Sequence, residues 1–433
     1  MVFAATVIKC CSMNKCLRIL SFMLCLLPIT LDNGISINYG YVVIAVLLIM
    51  LNFRIYQPTV LISFSAISFT LLYIISFPFV IFQYGVDGGR AFVSFLIFIS
   101  IFVFSVVRIK FEEIESFKLA LIFFSCLMAG NSVITYIFYG ADTIGEDLKN
   151  LVGSQRIGFV YIAGLFVLLY RTPKNYFVSF LKLGGVFLII AGMLLTFSRS
   201  SVISLVGALG LNYFVKIFGI RRISLADVRN VIGLIFLVSF GVSFLYIQFP
   251  LVFNFFDDRI FSRYGSYFYS IMPFEIFSDY AGTSQTDIFV EEGSEGTRLA
   301  IWNAIIQHVL ESPLFGSGYL GSWVLQDVAT GSAHNQYMDV LLRVGFFGFV
   351  IWIFIILKVF QFLRRFHPDL FWGGVGILIY GFFHETFKES QGAFILSFLI
   401  GMYANYARYR MRSIVNPSVS SNSFLPYRFH ESR

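Results

Sequence analysis

Apolar runs of roughly 16 to 25 residues recur along almost the whole of this chain, each long enough to cross a hydrocarbon layer about 30 Å thick as a helix. Twelve are read, at 16–31, 35–53, 58–83, 90–107, 117–139, 156–171, 178–197, 200–217, 230–248, 335–361, 370–386 and 390–407. Spans of that number and length predict an all-α polytopic membrane protein with about 12 transmembrane helices. Composition agrees: 58% of the 433 residues are hydrophobic and 13% are charged, with 54 phenylalanines, more than a soluble core requires.

Charge sets the orientation. With the N-terminus in the cytoplasm, the inner segments hold Lys9, Lys15, Arg18, Arg54, Arg108, Lys110, Arg171, Lys174, Lys216, Arg221, Arg222, Arg229, Lys358, Arg364, Arg365, Arg408, Arg410 and Arg412. The outer loops hold most of the acids, among them Asp87, Asp142, Glu146, Asp147, Asp257, Asp258, Asp279, Asp287, Glu291, Glu292 and Glu295. This is the positive-inside pattern at every crossing, and an even number of spans returns the basic C-terminal tail to the cytoplasm. The net charge of +7 is therefore the sum of a basic inner and an acidic outer face rather than a nucleic-acid signal. Anionic lipid is its plainest partner. The first apolar run follows Lys9, Lys15 and Arg18 as a signal peptide would, but no small-residue cleavage site follows it, so it is expected to be retained.

The organisation reads as residues 1–248 for spans one to nine, 249–333 for one large outer loop, 334–412 for spans ten to twelve, and 413–433 for a disordered cytoplasmic tail. The five cysteines, Cys10, Cys11, Cys16, Cys25 and Cys126, lie in the cytoplasmic arm or in spans, which leaves the outer loop without disulfides. A loop of about 85 residues is usually functional or partly folded. Within it Ser294–Glu311 has helical periodicity, with Leu299, Trp302, Ile306 and Val309 on one face, Ser294 or Thr297 as cap, and Ser312-Pro313 as stop. Such a helix would lie on the membrane surface or roof a cavity. A glycine-broken turn, Phe315 to Gly321, follows it.

The spans are nearly uncharged at their middles, whereas proton-coupled transporters and channels need ionisable groups there. Asp339 and Arg343, one turn inside span ten, have the i, i+4 spacing of a mutual ion pair. Lys118 and Lys182 sit near cytoplasmic ends, from which they can snorkel. Polar machinery is concentrated instead at the outer interface. Arg199 lies in the break Thr196-Phe197-Ser198-Arg199-Ser200-Ser201, where a lone arginine can simply anchor a helix pair. Arg156 begins span six and can reach lipid phosphate. Arg298 opens the amphipathic helix, where the helix dipole disfavours a cation and a nearby anion would explain it better. His334 precedes span ten, either as a wet capping histidine or as a reactive imidazole.

The set Arg298 and Trp302, the Pro313 to Gly321 segment, and His334-Asn335 followed by Leu341 or Leu342, Gly345 and Gly348 resembles the O-antigen ligase and polymerase superfamily of membrane glycosyltransferases. Thr196-Phe197-Ser198-Arg199 is similar to that family's upstream arginine motif. The resemblance runs closely over about 150 residues, from span seven through span ten, and elsewhere rests on hydropathy and helix count. It implies a helical C-type glycosyltransferase fold in a bacterial inner membrane, with the large loop periplasmic. It also implies an undecaprenyl-diphosphate-linked glycan as donor, membrane lipids around it, a chain-length regulator of polysaccharide assembly as partner, and no cofactor.

Displacing a lipid diphosphate from an anomeric carbon requires neutralising the departing phosphates and removing a proton from the attacking hydroxyl. No Asp-x-Asp motif stands in the outer loops, and arginine forks can bind phosphate oxygens bidentately without a metal. Arg199, Arg298 and Arg156 are accordingly assigned to the donor diphosphate. His334 is assigned as base, since an imidazole of pKa about 6.5 is largely neutral at pH 7. His384-Glu385 and Lys388-Glu389 read better as a solvated turn than as an acceptor path, Asp287 to Glu295 as a solvated face rather than a calcium loop, and His308 as surface or packing. His367 and His430 have no evident role.

Polymerase, joining lipid-linked repeat units, is preferred over ligase, which moves finished glycan to the lipid A core. A lipid-linked oligosaccharide flippase and a non-catalytic assembly partner are the readings from other classes.

Overall fold

In the computed structural model, residues 13–26, parts of 91–110, 111–143, 158–173, 175–195, 198–218, 294–314, 316–325 and 332–415 are described. The expected spans 35–53, 58–83 and 230–248 lie outside them, as does most of the large loop. Among the described residues the chain is all-helical, without strands. The helices are α1 (Met13–Leu26), α2 (Phe111–Thr143), α3 (Gly158–Tyr170), α4 (Tyr176–Leu195), α5 (Arg199–Phe218), α6 (Ser294–Glu311), α7 (Gln336–Phe366), α8 (Pro368–Tyr380) and α9 (Ser390–Val415), with short 3-10 segments at Val103–Val106 and Gly318–Val324. Two compact units divide the chain, residues 1–205 with 298–433, and residues 206–297. Everything below concerns the first.

Among the described residues, three helices are long and apolar enough to cross a membrane, Phe111–Phe138, Tyr176–Leu195 and Gln336–Phe366. The protein is a membrane protein. Several helices outrun the apolar spans read from sequence, because a helix does not stop where its hydrophobic stretch does. Thus α2 starts at Phe111 rather than 117, with Glu112 and Glu113 in its first turn, where carboxylates suit the helix dipole. Glu113 Oε2 also accepts the Lys110 N–H at 2.6 Å, as a capping-box glutamate does.

The phenylalanine surplus becomes packing between helices. Phe22 of α1, Phe117 of α2, Phe104, and Phe394 and Phe398 of α9 form one ring cluster, with Phe117 stacked on Phe398 at 4.1 Å and Phe22 edge-on to Phe117 at 5.9 Å. Residues 158–168 of α3 are all buried, so this helix is central. Small residues let its neighbours close in: a side chain at Gly164 would meet Ser125 Oγ of α2 at 2.1 Å, and one at Gly373 of α8 would meet Ala163 Cα at 3.1 Å.

Residues that the charge bias assigns to the cytoplasm gather at one end. Arg18 pairs with Glu112 at 3.1 Å, Arg171 with Glu115 at 3.5 Å, and Arg408 donates to the Ser105 carbonyl. Lys118, expected to snorkel, is instead half of a largely buried ion pair with Asp369 at 2.7 Å. Lys182 donates to the Leu169 and Arg171 carbonyls at 2.6 and 2.8 Å, closing the C-terminal end of α3. At this end His367 is the single residue between α7 and α8, and Pro368 starts α8 at a position that needs no N–H. Burial pushes the His367 imidazole down to about 3, helped by the Lys118 ammonium and opposed by the Asp369 carboxylate.

One break shapes the other end. Helix α7 is interrupted at Gly345, whose φ of 66° and ψ of −174° are outside the helical range. A continuous helix would bond the Phe346 N–H to the Leu342 carbonyl. Here Phe346 N–H donates to the Pro313 carbonyl at 2.7 Å, while the Leu342 carbonyl accepts from Ser317 N–H at 2.7 Å and Ser317 Oγ at 3.1 Å. The Pro313–Ser317 turn thus occupies the break and satisfies both freed groups. It fits only because residue 316 is glycine: φ there is 65°, and a Cβ would lie 2.3 Å from the Leu342 carbonyl oxygen. The break divides α7 into a short N-terminal segment, 336–344, and a C-terminal run whose roughly 21 residues, at about 1.5 Å each, are long enough to span a bilayer unaided.

Candidate functional site

The N-terminal segment of α7 begins in a dense polar junction. Asn335 is extended and caps the helix, its Oδ1 accepting the Tyr337 and Met338 N–H groups at 2.9 and 3.2 Å. Asn335, not His334, is therefore the cap. His334 has a φ of 50°, the one non-glycine residue with positive φ among the described residues. Such a backbone is uncommon outside glycine and persists only where surroundings over-determine it. The surroundings here do so.

Ala333 N–H donates to Glu385 Oε1 in a short hydrogen bond, and Ser332 Oγ donates to Glu385 Oε2 at 3.0 Å. Lys388 pairs with the same carboxylate at 3.0 Å. His334 N–H donates to Ser332 Oγ at 3.3 Å, and Trp302 Nε1 donates to the Ala333 carbonyl at 2.9 Å. Beyond His334, Gln336 N–H donates to the Gly381 carbonyl at 2.7 Å, Asn335 Nδ2 to the Phe382 carbonyl at 3.1 Å, and Phe387 N–H to Gln336 Oε1 at 2.6 Å. The partly exposed imidazole thus stands on a peptide anchored on both sides.

The 381–389 turn that supplies most of these anchors is not the solvated turn its polarity implied. Helix α8 ends at Tyr380 rather than continuing to 386, and Glu385, Thr386 and Phe387 are buried. Its Glu385 carboxylate, the Gly381 and Phe382 carbonyls and the Phe387 N–H are engaged by the segment holding His334.

The same turn reaches the arginine motif. Arg199 is the first residue of α5, and Ser198 before it accepts the Ser201 hydroxyl at 2.8 Å and the Ser201 N–H at 3.4 Å, the contacts of an N-cap. Ser200 Oγ lies 3.0 Å from Ser198 Oγ and 2.9 Å from His384 Nε2. The His384 ring is stacked 4.8 Å from that of Tyr380, a fully buried residue hydrogen-bonded to these serines. Adjacent residues His384 and Glu385 therefore tie together the segments that carry Arg199 and His334.

Arg298 lies on α6. That helix starts at Ser294, so Arg298 stands in its second turn, past the strongest part of the dipole expected to disfavour it. Trp302, one turn further, is the residue bonded to Ala333. The buried face of α6 is Ile301, Ile305 and Val309, packed with Ala333 and Leu342 and flanked by Trp302. Ile306, expected on that face, is exposed. The observed stripe repeats every four residues, and only that rotation lets the Trp302 indole reach Ala333 while the aliphatic side chains cover α7. Arg156 lies outside the described residues; Gly158, two positions on, abuts Ser201 and Tyr380 so closely that a Cβ would lie 1.8 Å from Ser201 Oγ.

Residues 184–353 match a family model described as O-antigen ligase. Over that stretch the chain is similar to the O-antigen ligase family, which supports the O-antigen ligase and polymerase superfamily. The match begins within span seven and ends within span ten, and it includes Arg199, Arg298, His334 and the Gly345 break. The match supports an O-antigen ligase or polymerase type of function. A comparison with curated proteins gives no match. The 381–389 turn lies beyond the matched stretch. Sequence reasoning undervalued it, although His384-Glu385-Thr386-Phe387-Lys388-Glu389 is a dense polar interruption of an apolar run, which is the signal that marks it.

Proposed function

We propose that this protein is a surface-polysaccharide polymerase. It joins undecaprenyl-diphosphate-linked repeat units at the periplasmic face of the inner membrane, with both termini cytoplasmic, by metal-independent inverting transfer. The observation that carries the reading is the convergence of the arginine-bearing start of α5 and the His334 peptide on one two-residue bridge. In this mechanism the acceptor hydroxyl oxygen attacks the anomeric carbon opposite the diphosphate. The new carbon–oxygen bond forms as the bond to the diphosphate oxygen breaks, undecaprenyl diphosphate departs, and the hydroxyl proton passes to the His334 imidazole. Arg199 and Arg298, with Arg156, stabilise the charge gathering on the diphosphate. Solvent then takes the proton from His334 and restores the base.

Ligation of the finished glycan to the lipid A core is the second reading, favoured by the description of the matched family. Deleting the gene in its host and resolving the surface polysaccharide by electrophoresis separates the two. Cells carrying core plus one repeat unit indicate a lost polymerase, and a chain-length regulator belongs with that outcome. Polymer accumulating on undecaprenyl diphosphate, with none attached to core, indicates a lost ligase. Unchanged polysaccharide rejects both.

For the arginines, Arg199→Lys and Arg298→Lys are each expected to lower kcat/KM for the donor about tenfold to a hundredfold. A point charge replaces a bidentate fork, and hydrogen bonds to charged groups are worth about 1.5–3 kcal/mol. Steady-state kinetics over a donor titration measures this, and lysine variants with wild-type kcat/KM would remove the diphosphate assignment.

A further inference from the structure

We infer that Glu385 is a positioning residue for the proposed reaction, holding His334 in its reactive geometry through the backbone; the inference rests on His334 being the base. Glu385 does not need to touch substrate to do this. Its two carboxylate oxygens take the Ala333 N–H and the Ser332 hydroxyl, and Ser332 Oγ in turn takes the His334 N–H. The left-handed turn at His334 is thereby closed from one carboxylate, with φ at 50°. Trp302 fixes the Ala333 carbonyl from the opposite side, and Asn335 is locked as the helix cap. Lys388, at 3.0 Å, holds the carboxylate itself. The neighbouring His384 contacts Ser200 at 2.9 Å, so the element that sets the imidazole also sets its register against the arginine turn. A strained backbone at a titratable residue, closed by a buried side chain 52 positions away, is better suited to positioning than to stability alone.

The side-chain requirements are specific. A glutamine keeps a carbonyl oxygen for Ala333 N–H, and its amide can donate to the Ser332 hydroxyl, provided that the Lys388 ammonium, which shares Oε2, is removed with the charge. An aspartate keeps the charge but is one methylene too short to span both partners.

The test uses the full-length protein in lipid nanodiscs, with undecaprenyl-diphosphate-linked glycan extracted from host cells deleted for the gene. Glu385→Ala and Glu385→Asp are expected to lower kcat about thirtyfold to a hundredfold, the penalty of a roughly 1 Å misplacement, with donor KM changed less than about threefold. Glu385→Gln made together with Lys388→Met, which removes the ammonium facing the new amide, is expected to retain kcat within about threefold. Wild-type kcat in Glu385→Asp, or that double variant as damaged as the aspartate, overturns the inference. His334→Asn is assayed in parallel. Activity in that variant rejects the base assignment itself, whereas an inactive His334→Asn beside a fully active Glu385→Asp rejects the positioning role alone.

Discussion

His334→Asn is expected to lower the rate of glycan transfer by about a hundredfold to ten-thousandfold while donor binding persists, the range of a lost general base. Asparagine is the informative substitution. His334 sits at a φ of 50°, a conformation asparagine tolerates better than alanine, so the variant removes the imidazole and leaves the peptide path. An alanine variant would confound a lost base with a strained turn. The measurement is the initial rate of transfer from lipid-linked glycan, paired with donor binding to the same preparation. A His334→Asn protein that transfers at near wild-type rate would show that the acceptor proton leaves by another route. Loss of both rate and donor binding would instead point to a phosphate contact by the imidazole.

The largest effect on stability is expected from the N-terminal segment of α7. Arg343 and Asp339 are both fully buried, joined by Nε to Oδ2 at 2.9 Å, and Arg343 Nη2 also donates to Ser94 at 3.1 Å. The local i, i+4 spacing supplies the pair, but burial makes it consequential. Removing one partner strands the other charge in a low-dielectric interior, so Arg343→Ala is expected to destabilise the protein by about 3–5 kcal/mol. Asp339→Ala should behave alike. The double substitution Asp339→Leu with Arg343→Met is expected to recover most of that loss, because the desolvation cost of both ions disappears with them. Asp339 Oδ1 has no hydrogen-bond partner among the described residues, which leaves the pair with less to lose. Thermal unfolding of the three variants in one detergent measures the coupling. Equal destabilisation in single and double variants would mean that the pair contributes through shape and not through charge.

Much of this was legible before any coordinates. The Asp339–Arg343 pair, the end of α6 at Ser312-Pro313, the arginine break before α5 and the family resemblance are all local patterns, visible in fewer than about ten residues or in the order of motifs along the chain. Errors arose where neighbours decided. The buried stripe of α6 is shifted because hydrophobic periodicity does not say which of two adjacent apolar rows meets a partner. Lys118 read as a snorkelling end residue because Asp369, its partner at 2.7 Å, lies on another helix. Capping was one of two readings left open for His334, and the adjacent Asn335 fills that role, because both types occur at helix starts and only backbone angles separate them.

By itself the sequence determined that this chain lives in a membrane as helices, where those helices gather charge at one end and polar chemistry at the other, and which residue types could act on a lipid diphosphate. These follow from run length, charge bias and side-chain chemistry, all readable one position at a time. Only the tertiary structure decided that His384 and Glu385 join the arginine turn to the His334 peptide, across separations of 184 and 52 residues. It also decided that the loop at Pro313–Ser317 completes the broken helix at Gly345. Hydrogen bonds between distant segments depend on how helices pack, and no periodicity along the chain encodes which buried donor will meet which acceptor.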